Sequence, residues 1–236
     1  ATTKVPELIK RAADDGQPAI ALTDLGNMMG AFQFVQGVQA HNKNRPEGSL
    51  ELKAIVGIDA YLCRNHLDRS QKDDGFQIPL LAKNKLGYHN LAKLSSIAYI
   101  EGFYYLPRID RDLLLAHREG LMVTTGGIMG EVPQLILNVG EKQAEEAFLW
   151  WRKEFGSDFY AEINRHGLPE EDAVNEVLKR FCIVHQGVPQ SCRGIVLLAI
   201  TRSDTSEHAH EITQRSAGED RQTKNERRMA VGLHVH

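Results

Sequence analysis

The chain has 236 residues, of which 42% are hydrophobic and 25% charged, and both values are close to the averages for globular proteins. This composition excludes disorder, collagen and coiled coil as the overall state of the chain. The 28 Lys and Arg residues are balanced by 31 Asp and Glu, for a net charge of −3. No overall positive field would therefore attract nucleic acid, and any contact with DNA must be local.

Two further features set the expected compartment. No apolar run approaches the roughly 18 to 20 residues that a membrane span needs, and the N-terminus lacks the basic-then-apolar layout of a signal peptide. The three cysteines (Cys63, Cys182 and Cys192) match neither a disulfide framework nor a zinc site, so we expect reduced thiols. The chain is predicted to be cytoplasmic, with no membrane partner.

The first part of the chain alternates helix-like and strand-like segments. Apolar residues at positions i, i+3, i+4 and i+7 predict a helix over Val5–Ala13, and an apolar run predicts a strand over Ala19–Thr23. The same patterns predict two more helices, over Met28–Gln39 and Lys85–Ala98. They predict two more strands, over Lys53–Cys63 and Phe76–Ala82.

Three details qualify this first part. Gly57 inside its strand indicates a bulge or a close approach of another chain segment, and Pro79 indicates an edge strand or a bulge. The polar segment Arg64–Gly75 is most simply a solvated loop.

The alternation continues beyond residue 119. Strands are predicted over Gly120–Thr125, Phe159–Ile163 and Gly194–Ile200, and helices over Glu131–Asn138, Glu141–Phe155 and Glu170–Val184. The stretch Gln214–Arg228 has only one apolar residue and cannot bury a stripe, so a polar connecting loop is expected over 214–229. A strand-like run, Val231–His236, ends the sequence.

Alternating strands and helices predict an α/β fold around a mainly parallel sheet, either doubly wound or closed into a barrel. We favour the barrel because the sequence has no Gly-rich dinucleotide fingerprint and no phosphate loop. One domain is expected over residues 1–236, with its body in 1–213.

Two histidines close the chain in a pattern that metal sites use. His234 and His236 lie two apart, so on a strand both imidazoles project to the same face and could reach one metal ion. The alternative is a frayed terminus or the remnant of a tag.

Acidic residues and further histidines lie in or after other predicted strands. Asp24 follows one strand, although it could equally be a helix cap or turn residue. Asp59 lies inside an apolar strand, where it needs a partner or solvent. Glu162, His166 and Asp204 belong to two later strand ends. Together these positions could form a multi-metal phosphoesterase site at one mouth of a barrel.

Several runs resemble one family over nearly the whole chain. They are ALTDLGNMMGAFQFV from Ala21, KAIVGIDAYLC from Lys53, LLAKNKLGYHNLAKLSS from Leu80, TTGGIMGEVPQLIL from Thr124 and FYAEINRHGLPEED from Phe159. Together they resemble the polymerase and histidinol phosphatase (PHP) domain at the start of bacterial replicative DNA polymerase III alpha subunits. The resemblance implies a distorted seven-stranded β/α barrel similar to a TIM barrel, with up to three metal ions for phosphoester hydrolysis in active members.

The order of the motifs departs from the family. Its opening His-x-His matches His234 and His236, which here end the chain, whereas the residues that follow that motif in the family resemble the start of this chain. The resemblance therefore implies a circular permutation or a reordering of segments, with 230–236 as the displaced first barrel strand.

The family's metal ligands match this chain only in part. Asp59 takes the place of a glutamate, His166 keeps its match, and Asp24 and Asp204 are further candidates. Residues unable to replace the family's ligands stand at other positions: Leu25, Gln77, and Gly126 or Gly127. We therefore expect a degenerate site with at most one ion, Zn²⁺ or Mn²⁺, held by members of the set His234, His236, Asp59, His166, Asp24 and Asp204.

The resemblance favours a structural and protein-docking module over a complete enzyme. It implies packing against the polymerase body, docking of the proofreading exonuclease subunit and only indirect contact with DNA. No palm, thumb or fingers are recognisable, so nucleotidyl transfer is not expected from these residues. The alternatives are an active metal-dependent 3′-5′ exonuclease or phosphoesterase, and a single ion that serves stability alone.

Overall fold

The computed structural model describes residues 4–185 and the backbone strand at 195–197. Within these residues there are seven α-helices: α1 (Val5–Asp14), α2 (Ala31–Asn44), α3 (Lys85–Ile100), α4 (Arg111–Ala116), α5 (Glu131–Asn138), α6 (Glu141–Phe155) and α7 (Pro169–Val184). There are eight strands: β1 (Ala19–Leu25), β2 (Lys53–Leu62), β3 (Phe76–Ala82), β4 (Phe103–Tyr104), β5 (Leu106–Ile109), β6 (Leu121–Thr124), β7 (Phe159–Ile163) and β8 (Ile195–Leu197). The predicted α/β class is confirmed.

The strands form one mixed sheet in the order β4-β5-β2-β3-β6-β7-β8, and β1 pairs with β2. β1 and β5 follow one another along the same edge of β2, which they meet at residues 53–59 and 61–62. Both pairings are parallel, as are those of β6 with β7 and of β7 with β8. Within the described residues β1, β4 and β8 are edge strands, so the sheet formed by this part of the chain is open.

The expectation of a mainly parallel sheet is wrong around β3. This strand runs antiparallel to both of its neighbours, β2 and β6. The physical reason is the connection from β2 to β3, which is a loop without a helix. A parallel neighbour needs a crossover connection, whereas a chain that turns back directly pairs antiparallel.

Hydrophobic residues form two clusters on this framework. The smaller one packs α1 and α2 over β1, with the fully buried Ile20 and Phe34 at its centre. The larger one fills the space between the sheet and helices α3 to α7 around Trp151, whose ring is tilted or stacked against the rings of Phe155 and Phe159. These clusters fix the strand ends that carry the polar residues described below.

The two unusual strand residues have clear structural reasons. A Cβ atom on Gly57 would lie 2.6 Å from the backbone oxygen of Leu80, which confirms the predicted close approach. Pro79 does not mark an edge, because β3 lies between β2 and β6. It is tolerated because the β3–β6 ladder begins only at Leu80, one residue later, so that the missing N–H costs no ladder bond there.

The segment Arg64–Gly75 is a loop without buried residues, as predicted, and it is also attached to β5. The fully buried Arg108 donates to four backbone oxygens, of which three belong to this loop's His66, Asp68 and Asp73. The fourth is that of Gly102. The β4–β5 hairpin and α4, which were not predicted, supply this anchor: β5 carries Arg108, and the N-cap of α4 is Asp110.

No helix in the described part of the chain is long and apolar enough to cross a membrane. Several predicted features lie outside the described residues: the polar loop at 214–229, the strand at 230–236 and the candidates His234, His236 and Asp204. The permuted order therefore stays a prediction.

A candidate acidic cleft at the strand ends

A cavity of about 240 Å³ opens where β2, β3, β6 and β7 meet. Strand residues line one side of it, and the turns that follow β6 and β7 line the other. The lining residues are Asp59, Gln77, Pro79, Gly127, Ile128, Met129, Glu162, Asn164, His166, Leu168 and Glu171. We call this cavity the cleft. It brings together three of the residues singled out in the sequence, Asp59, Glu162 and His166.

Asp59 is placed by strand register. It lies in the middle of β2, opposite Leu25 of β1 on one side and Pro79 of β3 on the other, and is only 2% exposed. Its charge is felt two residues along the strand, because burial first and then the Asp59 carboxylate raise the pKa of the Tyr61 phenol. Asp59 therefore supplies a buried carboxylate to the floor of the cleft.

A hydrogen-bonded network holds Glu162 at the end of β7. The Thr124 hydroxyl donates to Glu162 at 2.6 Å, and the Asn164 side-chain amide donates to the other carboxylate oxygen at 3.3 Å. The Glu162 backbone N–H donates to the Thr125 hydroxyl. All four residues are buried. Since β6 and β7 are parallel neighbours, their carboxyl ends meet here and orient the carboxylate.

His166 is held by a carboxylate that the sequence analysis missed. The Glu171 side chain accepts from the His166 backbone N–H at 2.6 Å and also contacts the ring Nδ1. Glu171 is 4% exposed and lies in the first turn of α7, which begins at Pro169. The available signal was a proline followed by acidic residues, typical of a helix start, directly after His166.

Asp24 is neither a helix N-cap nor a turn residue, because it lies inside β1 and bonds to the start of α2. Its carboxylate accepts from the backbone N–H of Gly30, the N-cap residue of α2, at 2.6 Å. Asp24 does not line the cleft. The neighbouring Leu25, which stands where the family has a histidine, is 38% exposed at the end of β1. This strand end presents an apolar side chain at that position.

The cleft is acidic. Three carboxylates and one imidazole line it, and no lysine or arginine among residues 4–185 does so. Within those residues, no three of His, Cys, Asp and Glu are placed to hold a metal ion together. Chemically, such a cleft attracts cations and repels a phosphodiester unless a cation first compensates the charge.

The motif that carries the family resemblance most strongly has a structural role. Lys83 pairs with Asp158 at 2.6 Å, and Asn84 caps α3 by accepting from the Gly87 N–H. A Cβ atom on Gly87 would lie 2.0 Å from the backbone oxygen of Gly120, so only glycine fits. These contacts fasten α3 between β3 and β6 and add nothing to the cleft.

Comparison with known proteins agrees with the resemblance. The sequence model of the PHP domain family matches residues 1–166. The DNA polymerase III subunit alpha of Borreliella burgdorferi is 42% identical over 182 residues, and that of Deinococcus radiodurans 40% identical over 189. Each alignment covers 75% of this chain but only 15% and 14% of the relative, respectively. The alpha subunit of Thermus aquaticus is also 40% identical, over 185 residues. The chain belongs to the PHP domain family.

Proposed function

We propose that this chain is the PHP module of a bacterial DNA polymerase III alpha subunit and acts as a structural and protein-docking part of the replicase. The cleft carries this proposal. Gln77 and Gly127, which stand where the resemblance implies metal ligands, line it beside Asp59 and His166. A two-metal clamp on the attacking and leaving oxygens would lack ligands at these positions.

A single ion, Zn²⁺ or Mn²⁺, fits the residues in part. Asp59 and His166 line the same cavity, and the Glu171 carboxylate on Nδ1 is the second contact that metal-bound histidines usually make. Asp24 would have to leave its hydrogen bond to Gly30. A complete ligand set would need His234, His236 or Asp204. A bound ion would supply positive charge that offsets the carboxylates of the cleft.

The open edges of β1 and β8 support closure of the sheet into the seven-stranded barrel of the family. In the described residues β1 and β8 each have one open edge. A strand from 230–236 inserted parallel to both edges would close the sheet, and it would bring His234 and His236 toward the end of β1. The proposed domain then extends over residues 1–236.

The proposed partners follow from the family resemblance, and the relatives' names support membership of a polymerase alone. We infer that the domain packs against the polymerase body and docks the proofreading exonuclease subunit in the cytoplasm, and that it meets DNA only through the assembled replicase. The acidic cleft supports indirect contact, because without a bound cation it repels a phosphate backbone.

The alternative function is a metal-dependent 3′-5′ exonuclease or phosphoesterase. The observation that favours it is the cleft itself, with buried carboxylates and a supported imidazole at the carboxyl ends of parallel strands, where α/β folds place their active sites. A third hypothesis is that a single bound ion serves the stability of the domain alone.

The test is metal content by elemental mass spectrometry on protein purified without a metal-affinity column, together with phosphodiester hydrolysis in added Zn²⁺ or Mn²⁺. The variants are His166→Ala and, as matched control, His89→Ala, which removes an exposed histidine of α3. The proposal expects at most one ion per chain and no hydrolysis. Two or more ions with hydrolysis lost only in H166A would establish the enzyme instead. A melting temperature that falls on chelation without any turnover would favour the stability role.

A further inference from the structure

Four large apolar side chains are exposed together where α3 ends and the β4–β5 hairpin turns. Their exposed fractions are 42% for Tyr99, 76% for Ile100, 47% for Phe103 and 64% for Tyr105. The rings of Tyr99 and Phe103 stack with centroids 6.0 Å apart. We call these four residues the aromatic patch. Exposed apolar side chains that cluster, rather than occur singly, mark interaction surfaces.

Tyr105, at the turn of the hairpin, is packed against neighbouring side chains. Tyr105 is the only non-glycine residue among 4–185 with positive φ, at 63°, a conformation that is costly for a bulky side chain. Its ring packs edge-on against Tyr104 at 4.7 Å, and the buried Arg108 lies 5.5 Å from the Tyr104 ring. Lys72 lies over the outer ring at 5.7 Å. Rigid aromatic side chains lose little entropy when a partner covers them.

The charges around the patch favour a protein partner over nucleic acid. Within 64–75, three basic residues are balanced by three acidic ones, and the patch segment itself adds Glu101. A platform for single-stranded nucleic acid would need an excess of positive charge. Arg69 donates to the Glu101 backbone oxygen at 3.1 Å and makes no ion pair with the described residues. Aromatic residues beside an arginine are typical of protein interfaces.

We propose that the aromatic patch docks onto another part of the same polymerase chain, through an apolar surface that carries a carboxylate for Arg69. This inference rests on the proposed function. The relatives align with three quarters of this chain but with 15% or less of their own length in the examples above, so most of each relative lies outside the aligned segment. No patch residue lines the cleft, so docking here would leave the cleft open.

The experiment places a photo-crosslinking amino acid at Tyr105 or Ile100 in the full-length polymerase chain. Matched controls carry it at Leu50 and Val139, which are 70% and 60% exposed away from the patch. We expect intrachain crosslinks from both patch positions to residues outside this domain. Adding Ile100→Asp should lower the yield from position 105 by about tenfold, the effect of losing one interface anchor.

A second variant guards against misfolding. Tyr105→Asn removes the ring but tolerates the left-handed backbone, so the domain should keep its melting temperature while Ile100 crosslinks are lost. Crosslinks from the patch to DNA, to the exonuclease subunit or to a second copy would overturn the inference. So would crosslinks to the polymerase body from Leu50 or Val139 alone, which would leave the proposed function intact. No crosslink outside the domain from any position would contradict packing against the polymerase body itself.

Discussion

Two histidine–carboxylate pairs in this domain are built alike and lie in different surroundings. In each, one carboxylate accepts from the histidine backbone N–H and also contacts its ring Nδ1: Asp110 with His66, and Glu171 with His166. The first pair is closed in by the loop at 64–75, which Arg108 anchors to β5. The second lines the cleft.

The two pairs differ in the groups that surround each histidine. Asp110 also caps α4, so the first pair joins three pieces of backbone and has a complete structural role. The second pair positions an imidazole beside a cavity that holds two further carboxylates, Asp59 and Glu162. The same local chemistry therefore fastens a loop in one place and holds an imidazole at the wall of the cleft in the other.

The largest expected effect on stability comes from the anchor of the loop at 64–75. Arg108→Met removes the donor of four backbone oxygens, three of them in the loop at 64–75, and should lower the free energy of unfolding by about 4 kcal/mol. Urea unfolding measures this loss. The control is Arg180→Met, which removes an exposed pair with Glu141 and should cost about 0.5 kcal/mol or less. A loss below about 1 kcal/mol in R108M would mean that the loop does not depend on this anchor.

Replacing each of the two carboxylates by alanine distinguishes the two histidine–carboxylate pairs by their effect on stability. Asp110→Ala removes both the His66 contacts and the α4 cap and should cost about 2 to 3 kcal/mol. Glu171→Ala removes only the His166 contacts and should cost about 1 to 2 kcal/mol. Equal losses in urea unfolding would show that the cap contributes nothing.

The Asp110 effect should also depend on pH. Burial acts to raise the pKa of Asp110, but the hydrogen bonds from His66 and from the Leu113 N–H outweigh it and lower the pKa below its usual range. Because the folded-state pKa is depressed, this stabilisation is fully present above the unfolded value near pH 4 and is lost as the pH falls through the folded value. The difference between wild type and D110A should therefore shrink as the pH falls below about 4. A difference that grows below about pH 4 would contradict this assignment.

The smallest expected effect reports on the cleft. Since burial and then the Asp59 charge raise the pKa of Tyr61, Asp59→Asn should lower that pKa toward the usual value near 10. Ultraviolet titration of the phenols, with Tyr61→Phe to identify the signal, measures the change. An unchanged Tyr61 titration would mean that the Asp59 charge is already neutralised in the folded protein.

The local elements could be predicted because their signals are local. The bounds of α5, α6, β3 and β7 match the sequence prediction at both ends. Their apolar spacing and their flanking glycines or turns determine them without reference to the rest of the chain. The position of His166 after a strand could also be predicted, because the end of β7 was predicted correctly.

Long-range contacts could not be predicted. The loop at 64–75 is polar in composition, and the sequence does not show that the distant Arg108 and Asp110 hold it. Asp24 and Asp59 both occur in strands, yet register directs one to the α2 N-terminus and the other to the cleft. Pro79 is harmless in an inner strand because the ladder with β6 starts after it.

The sequence by itself determined the α/β class, the family and most of the element bounds, because periodicity, capping residues and motif identity are properties of short segments. The tertiary structure alone decided that β3 runs antiparallel to its neighbours, that Asp59 and His166 share one cleft while Asp24 lies outside it, and that Glu171 supports His166. Those outcomes depend on which strands become neighbours and in what register, and a one-residue change of register would turn the strand residues Asp24 and Asp59 to the opposite face of the sheet.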